Sequence, residues 1–246
     1  MVKQTKVALS DAAEWLGDWH PLAEQLGSAD GILALGSVSR LLQVRPVQDV
    51  ASLRAFLKSY HDELLAPVEL PAIRAAFQHA ERNEVRELIG LDEQLARAPL
   101  PGNFAEPSRR VGHAQLQKLR PLRDQRLVQR YLAAVDEGAA QGWHTLVYGV
   151  TLVIYSLPLR QGLLGYAQQA VRSFIYSGAR MLRLSERQCR ELFDEISPRL
   201  SETVQQMIPQ DAGRKAEMGE GNSPDPGPVP KGAGGSASAC ERNKDG

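Results

Sequence analysis

Cysteine is scarce in this chain of 246 residues, which contains only Cys189 and Cys240. Neither belongs to a Cys-x-x-Cys pair, which argues against a disulfide framework and is typical of a protein of the reducing cytosol. The opening sequence MVKQTKVALSDAAEW has no long apolar run before a cleavage site, so we expect no secretion signal. The sequence therefore predicts a cytoplasmic protein.

An excess of charge of either sign is also missing. Lysine plus arginine number 29 and aspartate plus glutamate number 29, and a nucleic-acid-binding protein needs a basic excess on one face. The phosphate-binding pattern GxxxxGK[ST], the GxSxG elbow and the zinc pattern HExxH are absent as well. We expect no catalytic site, no directly bound cofactor and no metal site in this chain.

No hairpin dipeptide lies between alternating runs, and proline and glycine separate segments of helical length. The segment from residue 49 has apolar residues at three- and four-residue steps, with Asp49 as its predicted N-cap and Pro67 as its predicted stop. After Ile208 the sequence is rich in glycine and proline and contains no aromatic residue. These patterns predict an all-α, single-domain helical bundle of about eight to ten helices, with a disordered tail over residues 209–246.

The most apolar stretch runs from residue 143 to residue 157. It is shorter than the ~20 apolar residues that span a membrane, so we expect a buried core helix. Membrane association is one alternative, and a strand is another because the stretch contains β-branched residues. The next helix follows Pro158, and its Gly162, Gly165 and Gly178 predict close approaches between helices. Ser185 and Gln188 have capping-box spacing, which predicts the start of the last helix.

The second half of the chain resembles the family of urease accessory protein UreF. WHTLVYGV leads into LPLRQGLLGYAQQAVRSFIYSGARMLRLSERQ, as a His and aromatic-glycine run precedes a Leu-Pro-x-x-x-x-Leu-x-x-Tyr helix in that family. Upstream, RRVGHAQL is similar to the family's Arg-Arg-x-Gly-Arg-x-Leu stretch, with His113 in place of the last arginine. The resemblance covers residues 14–208 and leaves residues 1–13 as a flexible N-terminus.

The family's Gly-Gly-Phe-Ser-Tyr signature near the start is reduced here to SADGILALGSVSRLL, in which Gly31, Gly36, Ser37 and Ser39 remain. The resemblance implies a helical, cytoplasmic adaptor without a catalytic site of its own. Members of the family form a homodimer and bind the scaffold protein UreD, also called UreH. They recruit the GTPase UreG and dock on apo-urease, so that GTP hydrolysis by the partner is coupled to nickel insertion.

Two surfaces are candidates for partner binding. Arg109 and Arg110, beside Gly112, form a predicted patch that faces the scaffold or a second copy of the chain. Arginines beside an apolar centre are common at interfaces, which favours a second patch at the RMLRLSERQ region. The complete predicted interface consists of Arg109, Arg110, Gly112, Tyr166, Arg180, Arg183 and Gln188.

A competing hypothesis is a helical small-ligand-binding protein or enzyme that has lost its urease partners. Its pocket would be lined by His144, Tyr148 and Tyr166, whose rings and polar atoms suit a small ligand.

Overall fold

The computed structural model describes residues 47–98 and 102–208, with the side chains of the second range described from residue 105 onward. Within these ranges the backbone is helical and contains no strand, which confirms the predicted all-α class for this part of the chain. The elements in chain order are α1 (Val50–Tyr60), a π-helix (His61–Glu69), α2 (Leu70–Glu81), α3 (Val85–Arg97), α4 (Gly102–Leu119), α5 (Arg126–Asp136), α6 (His144–Ile154), α7 (Leu159–Leu182) and α8 (Glu186–Met207).

Three sequence predictions lie outside the described residues. They concern the flexible N-terminus over residues 1–13, the signature remnant with Gly31, Gly36, Ser37 and Ser39, and the tail over residues 209–246. The single domain over residues 14–208 and its total number of helices also stay predictions, because residues 14–46 belong to the same undescribed range.

Asp49 caps α1 as predicted. Its carboxylate accepts from the Ser52 backbone N–H at 2.7 Å, and Ser52 Oγ accepts from the Asp49 backbone N–H at 3.0 Å. This reciprocal pair satisfies two N–H groups that the first turn of a helix leaves without partners.

The predicted stop at Pro67 is wrong, because the chain continues through it as a π-helix and enters α2 without a break. In an α-helix, a proline ring collides with the carbonyl four residues earlier and removes one hydrogen bond. The wider π-turn moves that carbonyl away from the ring, and the Leu70 N–H donates five residues back, to the Leu65 carbonyl.

The apolar stretch forms the buried helix α6, as expected. It crosses α2 closely at Gly149, where an added Cβ would lie 2.6 Å from the Ile73 carbonyl oxygen. A side chain at this position would separate the two helices. Among the described helices, none has the length and apolar character needed to cross a membrane.

Two of the three glycines in α7 mark close approaches. A Cβ at Gly162 would lie 2.4 Å from a Leu152 methyl carbon, and one at Gly178 would lie 2.9 Å from a Leu53 methyl carbon. The prediction is wrong for Gly165, which is exposed and where an added Cβ would reach only the Tyr148 hydroxyl, at 4.0 Å.

Two hydrophobic cores meet at α2 and α6. One core joins α1, the π-helix, α7 and α8, and the other joins α3, α4, α5 and α6. Ile73 of α2 lies in the first core, whereas Ala72 and Ala76 lie in the second. Because α2 and α6 contribute to both cores, they fix the relative positions of the two groups of helices.

The start of α8 carries the predicted capping box. The Ser185 N–H donates to Gln188 Oε1 at 2.9 Å, and Ser185 Oγ accepts from the Gln188 N–H. Cys189, one residue later, is buried in the first core, and burial raises the pKa of its thiol. A raised pKa disfavours the nucleophilic thiolate, so this cysteine packs as a small core residue.

Candidate functional site

A buried carboxylate organises the loop between α5 and α6. Asp92 of α3 is fully buried and accepts from the Tyr131 hydroxyl at 2.7 Å, from the Gln141 N–H at 2.6 Å and from the Gly142 N–H at 2.9 Å. The Asp92 carbonyl accepts from the Trp143 indole N–H at 3.1 Å. Three donors on one carboxylate offset the cost of removing its charge from water, so the loop and the aspartate stabilise each other.

The RRVGHAQL segment of α4 holds the same loop from the other side. Gly112 is so close that a Cβ added to it would lie 1.9 Å from the Gly142 carbonyl oxygen. His113 donates its Nε2–H to the Gln141 carbonyl at 2.9 Å, and Arg109 donates to the Gln141 side-chain oxygen at 2.8 Å. The histidine that departs from the family pattern therefore has a defined contact of its own.

The two arginines of the first predicted patch differ in environment. Arg109 is half-buried because its guanidinium reaches the loop at Gln141, whereas Arg110 is exposed. Gly112 lies in the interior, against the loop backbone. Of this predicted patch, the structure therefore leaves Arg110 as the most accessible side chain and uses Gly112 inside the fold.

A second buried polar cluster links five elements through His144, Tyr166 and Glu69. His144 Nε2 lies 2.6 Å from the Tyr166 hydroxyl oxygen, and His144 Nδ1 lies 2.7 Å from Ser108 Oγ. Glu69, at the end of the π-helix, accepts from the Tyr60 hydroxyl at 2.5 Å. Tyr60, Glu69 and Tyr166 have no exposed surface, and His144 is 4% exposed.

The hydrogen-bond directions in this cluster follow from Glu69. Burial and the neighbouring Glu69 charge raise the pKa of Tyr166, and its hydroxyl donates to Glu69. The Tyr166 oxygen then accepts from His144 Nε2–H, and His144 Nδ1 shares a hydrogen bond with the Ser108 hydroxyl. His144 Nε2 also lies 4.0 Å from Glu69 Oε1, so the histidine joins Tyr166 and Ser108 to the buried carboxylate.

Tyrosine hydroxyls are held protonated in both clusters. Burial first and the Glu69 charge second raise the pKa of Tyr60, and burial and Asp92 do the same for Tyr131. A protonated tyrosine donates to a carboxylate without adding charge, which suits an interior position. Both clusters are therefore internal supports that orient the helices around them.

His144, Tyr148 and Tyr166 do come together, as the ligand-pocket hypothesis requires. However, the Tyr148 and Tyr166 ring centroids are 5.2 Å apart, those of His144 and Tyr166 are 6.0 Å apart, and the Tyr148 hydroxyl donates to the Gly162 carbonyl. The rings pack on one another and their polar atoms are used within the chain. Tyr166 thus lies in the interior and not on a surface open to a partner.

The residues of the second predicted patch surround the turn from α7 to α8. Arg180 is exposed in the last turns of α7, and Arg183 ends that helix in the left-handed conformation, with φ of 53°. Gln188 is exposed and takes part in the capping box of α8. Across residues 47–98 and 102–208, no group of three or more His, Cys, Asp or Glu side chains is placed to hold a metal ion.

Sequence reasoning missed Asp92, Glu69 and Ser108. Each stands where the helical period places an apolar residue: Asp92 is four residues after Leu88, and Glu69 is midway between Leu65 and Ile73. A single acidic residue at a core position of an apolar helical series indicates a buried carboxylate, and this pattern could have identified Asp92 and Glu69.

Comparisons with known proteins assign the chain to a family. The UreF family model matches residues 47–196, which is more than half of the chain and includes both buried polar clusters. The urease accessory protein UreF of Sporosarcina pasteurii is 21% identical over 170 residues, which cover 69% of this chain and 84% of that protein. The chain belongs to the UreF family.

Proposed function

We propose that this chain is a urease accessory protein that acts as an adaptor. In this proposal it binds a UreD/UreH-type scaffold protein and a UreG-type GTPase, and the assembly docks on apo-urease in the cytoplasm. GTP hydrolysis by the UreG-type partner is then coupled to the insertion of nickel into urease. The observation that carries the proposal is the match to the UreF family over residues 47–196.

The sequence indicates which steps this chain performs and which its partner proteins perform. The chain has no GxxxxGK[ST] loop, so the nucleotide is assigned to the UreG-type partner. Nickel is the cargo of the complex, and we assign its handling to the partner proteins as well. The chain itself acts by binding and orientation, as a homodimer, and not as an enzyme.

The buried clusters support this role because they fix helices that carry exposed arginines. Asp92 and Gly112 hold α3, α4 and the loop before α6 together, and Arg110 projects from the same part of α4. Surfaces on helices that are rigidly supported lose little conformational entropy when a partner binds. Arg109, Arg110, Arg180, Arg183 and Gln188 are therefore the side chains that we propose for the partner interfaces.

Co-expression tests the proposal directly. The chain is produced with the UreD-type and UreG-type proteins of the same source, and the mixture is analysed by size-exclusion chromatography and native mass spectrometry. We expect a complex of defined mass that contains all three proteins. A soluble, folded chain that binds neither protein would contradict the adaptor role.

A single charge reversal then tests the α4 patch. We expect Arg110→Glu to weaken scaffold binding or dimer formation, whereas Arg86→Glu, an equal charge change on the exposed face of α3, leaves both unchanged. If Arg110→Glu binds the scaffold and dimerises like the wild-type chain, the α4 patch has only a structural role.

A further inference from the structure

The exposed face of α7 has an unusual composition. The helix has no acidic residue along its whole length, and its solvent-facing side carries Arg172, Tyr176 and Arg180 at successive four-residue steps. Residues four apart lie on the same face of a helix, so these three side chains form one continuous ridge, with Arg172 and Arg180 about 12 Å apart along the helix axis.

Among the residues that the structure describes, none forms a hydrogen bond or ion pair with the two arginines of this ridge. Many other exposed arginines are paired; Arg54, Arg120, Arg187 and Arg199, for example, each contact a carboxylate within 2.8 Å. Neither Arg172 nor Arg180 has an ion pair or hydrogen bond to any described side chain. Their donors are therefore available to a partner.

Arg172 is also held in a defined position. Its guanidinium carbon lies 4.4 Å from the centroid of the Phe193 ring on α8. This cation–π contact uses the charge of the guanidinium and no oxygen acceptor, so N–H groups of Arg172 can still form a two-pronged contact with a carboxylate. This preorganisation lowers the entropy that binding would otherwise cost.

Tyr176 lies between the two arginines and is 39% exposed, which makes it one of the few large aromatic side chains of the described residues that face solvent. Tyrosine and arginine are enriched at the centres of protein interfaces, where an aromatic body is buried and charged groups surround it. The ridge has this composition and order.

We infer that the Arg172–Tyr176–Arg180 ridge binds a partner protein through a helix that presents two carboxylates about two turns apart and a small apolar site between them. The inference rests on the proposed function and names the chemistry of one of its interfaces. A protein fits better than an extended polyanion, because the exposed face of the adjacent α8 is not basic. Glu186 and Glu191 there neutralise Arg190 and Arg187, and Asp194 adds a further carboxylate, so a polyanion lying across both helices meets no continuous positive surface.

The test uses the full-length chain with Arg172→Glu and Arg180→Glu combined. Its affinity for the UreD-type protein, the UreG-type protein and apo-urease of the same source is measured by isothermal titration calorimetry. We expect the affinity for one of the three to fall roughly a hundredfold, since two charge-assisted contacts become repulsive. The matched control combines Arg82→Glu with Arg86→Glu, which changes the net charge equally and is expected to leave all three affinities unchanged.

Conservative variants test the geometry within the ridge. Arg172→Lys keeps the charge but removes the fork of donors, so we expect a loss of about five- to tenfold in affinity for the same partner. Tyr176→Ala is expected to produce a loss of roughly tenfold or more. The thermal unfolding temperature of each variant is measured as a control. If it equals that of the wild-type chain, the loss of affinity arises from the interface and not from the fold.

The outcomes separate this inference from the function on which it rests. If the wild-type chain binds none of the three proteins, the proposed function and the inference both fail. If the wild-type chain binds at least one of the three proteins and the Arg172→Glu, Arg180→Glu variant binds it with the same affinity, the inference alone fails. Binding of polyuridylate and of phosphatidylserine vesicles to both chains is measured as well. A loss confined to either of these probes would also overturn the inference, since the ridge would then recognise a polyanion and not a protein.

Discussion

Gly112 of α4 lies directly against the Gly142 carbonyl of the loop before α6, at a distance that leaves no room for a side chain. An ideal Cβ at residue 112 would be 1.9 Å from that carbonyl oxygen and 2.8 Å from the His144 nitrogen. Both contacts are with backbone atoms, which cannot rotate away as the end of a side chain can. The glycine therefore sets how closely α4 approaches the start of α6.

Substitution of Gly112 by alanine tests this contact. We expect Gly112→Ala to lower the free energy of unfolding by about 3 kcal/mol or more, because the added methyl group must displace backbone. The matched control is Gly90→Ala, inside α3, where an added Cβ meets nothing within 4 Å. That variant is expected to gain about 0.5–1 kcal/mol from helix propensity. Urea denaturation measures both, and equal stabilities for the two variants would contradict the close approach.

The Asp92 carboxylate makes a separate prediction for the same loop. In Asp92→Asn, one oxygen becomes an NH₂ group that faces N–H donors at Gln141 or Gly142. We expect a loss of about 3 kcal/mol in unfolding free energy, whereas Tyr131→Phe, which removes one donor, costs about 1.5 kcal/mol.

The double variant distinguishes a shared network from independent sites. Because Tyr131 donates to Asp92, the two losses should sum to more than the loss in the Asp92→Asn, Tyr131→Phe chain. The account of the loop is wrong if Asp92→Asn unfolds within about 0.5 kcal/mol of the wild-type chain.

Three buried tyrosines and the partly buried Tyr148 predict a loss of stability in alkali. The pKa values of Tyr60, Tyr131 and Tyr166 are raised well above 10.0, and burial raises that of Tyr148 to about 12. Below pH 10, both the folded and the unfolded chain keep these protons, so the stabilisation is fully present. Above pH 10, the unfolded chain releases them while the folded chain holds them, so the free energy of unfolding falls as pH rises.

The slope of this dependence measures the number of tyrosines involved. Each tyrosine contributes up to about 1.4 kcal/mol per pH unit, until the pH reaches its pKa in the folded state. Tyr148→Phe should make the curve shallower by one such contribution between about pH 10 and pH 12. Urea unfolding at a series of pH values provides the curve, and an identical slope for the wild-type chain and Tyr148→Phe would disprove the assignment for Tyr148.

A substitution at Arg183, in the turn between α7 and α8, is expected to raise stability and to weaken partner binding. This residue ends α7 with φ of 53° and ψ of 44°, a conformation that glycine adopts without steric cost. We expect Arg183→Gly to raise the free energy of unfolding by about 1 kcal/mol. If Arg183 belongs to a partner interface as proposed, the same variant binds that partner more weakly, and unfolding cannot explain the loss. A destabilised Arg183→Gly chain would contradict the strain at this turn.

The helices with clear local signals could be predicted from the sequence. Asp49 and Ser185 are caps whose side chains act within three residues, so their effect is visible in a short window. The path through Pro67 could not be predicted in this way, because the π-turn is favoured by the burial of Leu64, Leu65 and Glu69 against other elements. Tertiary packing decides whether the helix continues through Pro67, and a local rule for proline takes no account of that packing.

The candidate site was predictable only in part for a similar reason. The motif around Arg109 and Gly112 was recognisable, but its contact with Gln141 joins positions that are 32 apart in sequence. The buried partners Asp92 and Glu69 carry no motif, and their role depends on which donors the fold brings to them. The sequence thus indicated α4 as important, and the structure shows that much of its importance is internal.

The nickel content of urease is the measurement that tests the proposed function most directly. Urease structural proteins are co-expressed with the UreD-type and UreG-type proteins of the same source, with and without this chain, and the purified urease is analysed for bound nickel and for activity. The account predicts nickel-loaded, active urease only when the chain is present. Equal nickel loading and activity without the chain would contradict it.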